Sequence, residues 1–214
     1  MKIKLPSVGV VLAASDLTAC AKKYILLALG GVCLWLMGCG ITSVYPFYTE
    51  KDLIFDPALV GHWEKVNDDK DPDPIEFKKS GDKEYRLWLK EGETKEGHVL
   101  HLEKHAVHLF KLRTQLFLDL LPVERHEDSI PVHHLMKADQ ITPTLKMATL
   151  SDNWLSELLK KTPGALAHQL IPDPNDPNKS ELVLTAPTRE LQRFLLKQLK
   201  NNAAFEPTQE WKRR

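Results

Sequence analysis

"AVHLFKL", residues 106–112, and "LFLDLLP", residues 116–122, decide the fold class. In the first, Ala106, His108, Phe110 and Leu112 share one face under the two-residue period of a strand. In the second, apolar residues occupy both faces, as in a strand covered on both sides. Two such runs, separated only by Arg113-Thr114-Gln115, predict an antiparallel pair. Asp119 interrupts the second run. A buried carboxylate costs several kcal/mol unless partnered. Asp119 is therefore expected to bind backbone N–H groups or a cation, with an acid of raised pKa as the functional alternative.

The same pattern extends in both directions. Short runs at 60–66, 75–79, 85–89, 98–103, 132–137 and 144–150 read as strands. Between them stand turn residues, such as Ser80-Gly81-Asp82 and the polar stretch 67–74. From 151 the period changes. Ser151 suits an N-cap and Asp152 the positive end of a helix dipole. Trp154, Leu155, Leu158 and Leu159 make one stripe, and Pro163-Gly164 stops it. Residues 165–171 read as a short strand or helix, 172–180 as an exposed hairpin-like loop, and 182–185 as a strand. Pro187 then suits the first helical position. Leu191, Phe194, Leu195 and Leu199 form a second amphipathic stripe, closed by Asn201-Asn202. Strands followed by helices predict an α+β fold. The expected form is a curved antiparallel meander of about eight strands, lipocalin-like or a half-barrel, with two C-terminal amphipathic helices packed on it. The predicted organisation is a targeting segment at 1–38, a lead-in at 39–57 lying extended over the body, and one domain at 58–211.

The chain has 214 residues, 43% hydrophobic and 27% charged, with no formal net charge. From Cys39 onward acidic residues outnumber basic ones by three. That argues against nucleic acid, since phosphate binding needs a concentrated basic face. The three cysteines, Cys20, Cys33 and Cys39, all precede Gly40. The body therefore has no disulfide, no thiolate nucleophile and no cysteine-ligated zinc.

Lys22 and Lys23 precede the apolar run "YILLALGGVCLWLM", which ends in Leu36-Met37-Gly38-Cys39. Charge, a short greasy stretch and a small residue form the layout of an export signal. The last four residues resemble the lipobox of bacterial lipoproteins. That resemblance implies cleavage before Cys39 and acylation of its thiol, with the membrane as the partner. Met37 departs from the small or β-branched residue usual at its position. Gly40, rather than Asp, follows the cysteine, which favours an outer membrane. The alternative is a transmembrane anchor over 24–44, a run of 21 residues without charge. Residues 1–21 fit a signal poorly and suggest an over-long gene start.

Among nine histidines, His98, His101, His105 and His108 lie close together. On strands, His98 and His101 point to opposite sides, as do His105 and His108, and His133 and His134. No zinc pattern is completed, so neither a metal nor another cofactor is expected. The oxygens of Asp173, Asn175, Asp176 and Asn178 lack the glycine and bidentate glutamate of a calcium loop. No nucleophile elbow, phosphate loop or dinucleotide fingerprint occurs. These observations argue for a non-enzymatic module; a histidine-dependent metal enzyme or hydrolase is the remote alternative. Gly61-His62-Trp63 on the first strand resembles the first lipocalin motif, which implies a tryptophan closing a barrel base. No second motif accompanies it. Trp63, Trp88 and Phe110 are the candidate ligand-contacting or core side chains for a carrier of apolar molecules.

"FDPALVGHW", "HLFKL", "LFLDLLP", "DNWLSELL", "PGALAH" and "LTAPTRELQRFL" together are similar to a family of predicted bacterial lipoproteins. The resemblance spans roughly 45–211. It implies a lipid-anchored envelope protein and carries no catalytic residues.

Overall fold

The computed structural model describes residues 41–66, 74–90, 102–123, 130–173 and 176–214. The chain divides into Met1–Gly38 and Cys39–Arg214, and the fold below belongs to the second unit. Leu36, Met37, Gly38, Cys39, His98 and His101 lie outside the described residues. In chain order the strands are β1 (Thr42–Ser43), β2 (Gly61–Lys65), β3 (Ile75–Lys79), β4 (Tyr85–Lys90), β5 (Leu102–Leu112) and β6 (Gln115–Pro122). They continue as β7 (His133–Gln140), β8 (Thr144–Thr149), β9 (His168–Asp173), β10 (Asp176–Leu184) and β11 (Gln209–Arg213). The helices are α1 (Asp152–Lys161) and α2 (Thr188–Gln198).

Eight strands close into an antiparallel barrel. β2 to β8 are neighbours in chain order, and β11 fits between β8 and β2. The hairpin of β5 and β6 is the longest ladder, from His105↔Pro122 to Leu112↔Gln115. Its turn is Arg113-Thr114, with Arg113 at φ 56. Outside the ring, β1 pairs antiparallel with β7 and parallel with β10, which carries β9 as the sheet's last strand.

The two-residue alternation sorts the core into two layers. One holds Trp63, Phe77, Tyr85, Leu87, Val107, Leu109, Leu118, Leu120, Leu145 and Trp211, contributed by β2, β3, β4, β5, β6, β8 and β11. Side chains from so many strands converge only inside the barrel. The other layer holds Phe110, Phe117, Leu135 and Ala148 from the outer face, with Leu155 and Leu159 of α1 and Leu191, Phe194 and Leu195 of α2. Both predicted helical stripes are thus buried on the barrel's outer wall. Ser151 stands at the N-cap without a capping bond from its hydroxyl, and Pro187 is the N-cap of α2 rather than its first residue.

The segment before β2 is a strap across this outer wall. Ile54 N–H donates to Leu109 O at 2.9 Å, and Leu53 bridges to Phe110. From the other side, α2 grips the strap. Thr188 Oγ1 donates to Pro46 O at 2.8 Å, and Gln192 Nε2 donates to Phe47 O at 3.0 Å. The strap then turns through a 3₁₀ segment, Pro57–Leu59, under one end of the barrel. There Trp63 Nε1 donates to Leu59 O at 2.9 Å. Arg213 lies 4.8 Å over the Trp63 ring and donates to Val60 O and Ala58 O. Gly61 makes this possible. At φ +140, a Cβ there would stand 3.0 Å from the guanidinium of Arg213, in backbone territory essentially reserved for glycine.

Three expectations need correction. The chain from Leu102 to Leu112 is one strand, not two, because Lys104 and His105 continue the pairing with β4. The stretch read as a loop at 172–180 carries the ends of β9 and β10, which pair from His168↔Leu184 out to Asp173↔Asp176. Proline has no N–H to give a ladder; Pro172 is tolerated because β9 is the sheet's last strand, and Pro177 because β10 there runs past the end of β1. The two predicted C-terminal helices are also not the last regular elements. β11 follows and completes the barrel.

Candidate functional site

The polar centre of the molecule lies where the strap crosses β5, β6 and β7. Leu118 and Leu120 face the barrel interior, so Asp119 points outward, beneath the strap. It is fully buried. Its Oδ2 accepts the Phe47 N–H at 2.9 Å, and its Oδ1 stands 2.7 Å from His133 Nδ1. The alternation of β7, with Leu135 in the outer layer, places His133 on this side. The neighbouring strand supplies His108, directly opposite Asp119 in register. His108 lies under Tyr48, ring centroids 4.7 Å apart, with Nε2 3.8 Å from Glu84. Burial lowers the His108 pKa, against the pull of Asp119 and Glu84. Burial raises the Tyr48 phenol to about 12, with Asp119 adding to it.

An imidazole held by a carboxylate at Nδ1 is the base–orienter half of a nucleophilic site. The other half is missing among the described residues. Ser43 lies opposite His133 in register, but its hydroxyl donates to Tyr45 O at 2.8 Å and accepts the Tyr45 N–H at 3.2 Å. No described hydroxyl is hydrogen-bonded to His133. As built, Asp119 and His133 tie the strap to the barrel.

The inner face carries the second pair. His105 is buried inside the barrel on the face of Val107 and Leu109, and His134 shares the face of Met136. Burial, then the proximity of His134, pushes the His105 pKa down to about 4. Burial also lowers His134. The unfolded imidazole takes its proton near 6.5, so between these values the native state binds fewer protons. The stability from neutral His105 is intact above about pH 6.5 and is lost as pH falls towards 4, to the extent of about 3 kcal/mol. Asp152 acts in the opposite direction. Burial raises its carboxyl to about 6 although it accepts the Ile41 N–H, so its contribution falls as pH rises from about 4 to 6. His105→Leu should therefore flatten the acid side of a urea-midpoint profile. An unchanged slope between pH 6.5 and 4 would contradict the burial argument.

Trp63, Trp88 and Phe110 do not converge. Trp63 fills the barrel interior and Phe110 stacks on Phe117 in the outer layer at 5.4 Å. Trp88 lies half-buried on the outer face of β4, with Lys78 Nζ 5.1 Å from its ring centroid. Asp119 was legible as a residue needing a partner, but its tie to His133 and the strap was not. Among the described residues no three His, Cys, Asp or Glu side chains are placed to hold a metal ion. Asp173 and Asp176 face each other as a cross-strand pair. A surface groove of about 470 Å³ lies between the helices, lined by Leu158, Leu166 and Phe194 with Arg193 and Lys197. Among the described residues no helix is long and apolar enough to cross a membrane.

Compared with protein-family models, curated proteins and solved structures, the chain matches none. What the fold defines is an eight-stranded antiparallel barrel with two helices and a strap on its outer wall. Such a barrel is compatible with a binding module.

Proposed function

We propose that this chain is a bacterial envelope lipoprotein, cut before Cys39 and acylated there, with a non-enzymatic barrel as its working body. The observation that carries the reading is that the sheet takes in residues only a few positions after Cys39. Ile41 is buried, and Thr42 and Ser43 are paired on both sides in the sheet. These residues belong to the sheet and are not free to complete a membrane helix over 24–44. The uncharged run left for a helix, 24–40, is about 17 residues, the lower limit of what spans the ~30 Å hydrocarbon core. Cleavage before Cys39 leaves the whole described body intact. Gly40 after the cysteine favours an outer membrane, and the family resemblance agrees.

Intact mass of the mature protein from its native membrane, beside Cys39→Ser, tests this. A wild-type chain beginning at Cys39 with added diacylglycerol, absent from the variant, is the expected result. An unmodified chain retaining 24–40 in both would overturn it.

A second reading, a lipocalin-like carrier, is favoured by one feature. Trp63 of the Gly-x-Trp motif sits at the barrel base under Arg213, as that resemblance implies. Against it, Trp63, Phe77, Tyr85 and Trp211 occupy the interior and are all buried. A panel of fluorescent fatty acids decides: failure of all to bind removes the carrier.

A further inference from the structure

We propose that the end of the barrel interior opposite Trp63 binds a small, uncharged, hydroxyl-bearing molecule, a polyol or simple sugar. β5 pairs antiparallel with β6, β6 with β7, β7 with β8 and β8 with β11, so β5, β7 and β11 run in one direction. Residues near the starts of these three strands therefore lie at one end of the barrel. They are His105, His134 and Gln209. Each is in register with a side chain of the inner layer: His105 with Leu87, His134 with Leu120 and Gln209 with Met147. All three thus point inward. Trp211 lies two residues further along β11 on the same face, beneath Gln209. Trp63 and Arg213 close the other end, where β11 finishes.

Two buried polar atoms at this end have no hydrogen-bond partner among the described residues: the Trp211 Nε1–H donor and the Gln209 Oε1 acceptor. Native structures leave few such atoms without a partner, and each calls for one. Trp211 is 2% exposed, so bulk water does not serve it. A donor and an acceptor on neighbouring same-face positions ask for a ligand that both accepts and donates. A hydroxyl does both. An anion would set its lone pairs against Gln209 Oε1, and a cation would meet the Trp211 N–H. The two imidazoles agree with an uncharged ligand. Burial keeps both neutral at pH 7, when each offers one donor and one acceptor. The nearest charges are not enclosed: Lys65, in register with Trp211, is only half-buried, and Glu181, which accepts from Thr42 Oγ1, is exposed. Trp63, Phe77 and Tyr85 fill the rest of the interior, so the ligand is small. It differs in this from the apolar carrier's cargo, which needs the space those rings hold. The mouth of a β-barrel is a preferred place for a ligand held by a few convergent polar groups.

Saturation-transfer difference NMR on the full-length protein tests this, because it reads weak binding directly. The probes are glycerol, sorbitol and glucose, with acetate as the charged comparison. At least one of the three hydroxyl compounds should give a saturable signal. Gln209→Leu and Trp211→Phe should each weaken that binding about tenfold, the usual order for one lost hydrogen bond to a ligand. His62→Ala, at an exposed position on the outer face of β2, should leave it unchanged. Circular dichroism of each variant checks that the fold is kept, and should Gln209→Leu lose it, Trp211→Phe carries the test. No saturable signal from any of the three overturns the proposal and leaves ordered water as the partner of these atoms. A signal that survives both substitutions also overturns it, by placing the binding elsewhere. Saturable binding of acetate in place of the hydroxyl compounds overturns the uncharged ligand. Neither the probes nor the variants involve Cys39, so each of these failures leaves the lipid anchor standing.

Discussion

Removing the last seven residues, from Thr208 onward, is expected to abolish cooperative folding. Among the described residues, β11 alone links β8 and β2. Without it the ring opens, two edges are exposed, and unpaired strands template association. Its anchor is Trp211, 2% exposed among Leu145, Met147 and Trp63 inside the barrel. Trp211→Ala should cost about 3–5 kcal/mol, the usual range for emptying a large aromatic site in a core. Trp211→Phe separates two contributions. The indole Nε1 has no hydrogen-bond partner among the described residues, so its loss removes a buried, unsatisfied donor while opening a smaller void. These effects oppose each other, and Phe should lie within about 1–2 kcal/mol of wild type. Urea denaturation of the two variants reads the difference. A Phe variant as weak as Ala would mean that the indole has a partner in the parts of the chain not described.

The barrel strands from β3 to β8 were legible because each carries two or more inward apolar residues at the two-residue period, while β2, with Trp63 alone inward, was legible from the flanking Val60 and Val66. β11 was not. "QEWKR" has one inward side chain, Trp211, between charged neighbours, and it follows a proline. Its strand state comes from its two partners, not from its own pattern. β1 was hidden for a different reason. Thr42 and Ser43 lie near the end of an uncharged run that begins at Tyr24, and nothing local in that run marks a strand. The outer part of the β9–β10 ribbon, 172–180, reads as a hairpin-like loop from its prolines and aspartates, since propensity weighs against strand wherever tertiary position is unknown. The candidate site was half legible. A lone carboxylate in an apolar strand announces a partner, but which partner depends on the register of β6 against β7. Asp119 faces Leu135, and His133 is two residues further along the same face. The strap amide that completes the set is 72 residues away in sequence.

That set gives the second large effect. Asp119→Ala should destabilise the protein by about 3–5 kcal/mol, the range for removing one member of a buried polar pair. The loss has two parts. His133 loses the carboxylate at its Nδ1, and the Phe47 N–H is left buried without an acceptor. Asp119→Asn keeps one carbonyl oxygen for the Phe47 N–H and offers an amide N–H to a neutral His133 Nδ1. It should therefore cost less, about 1–2 kcal/mol. Global stability alone does not locate the damage, so the decisive readout is local. Hydrogen exchange should quicken at Phe47 and through the strap residues gripped by Thr188 and Gln192. Exchange in β3 and β4, on the far wall, should change only through the global term. If both regions quicken equally in Asp119→Ala, the carboxylate supports the barrel as a whole and the strap is not its particular charge. If only the strap loosens, Asp119 and His133 form the latch that holds the segment between β1 and β2 onto the barrel.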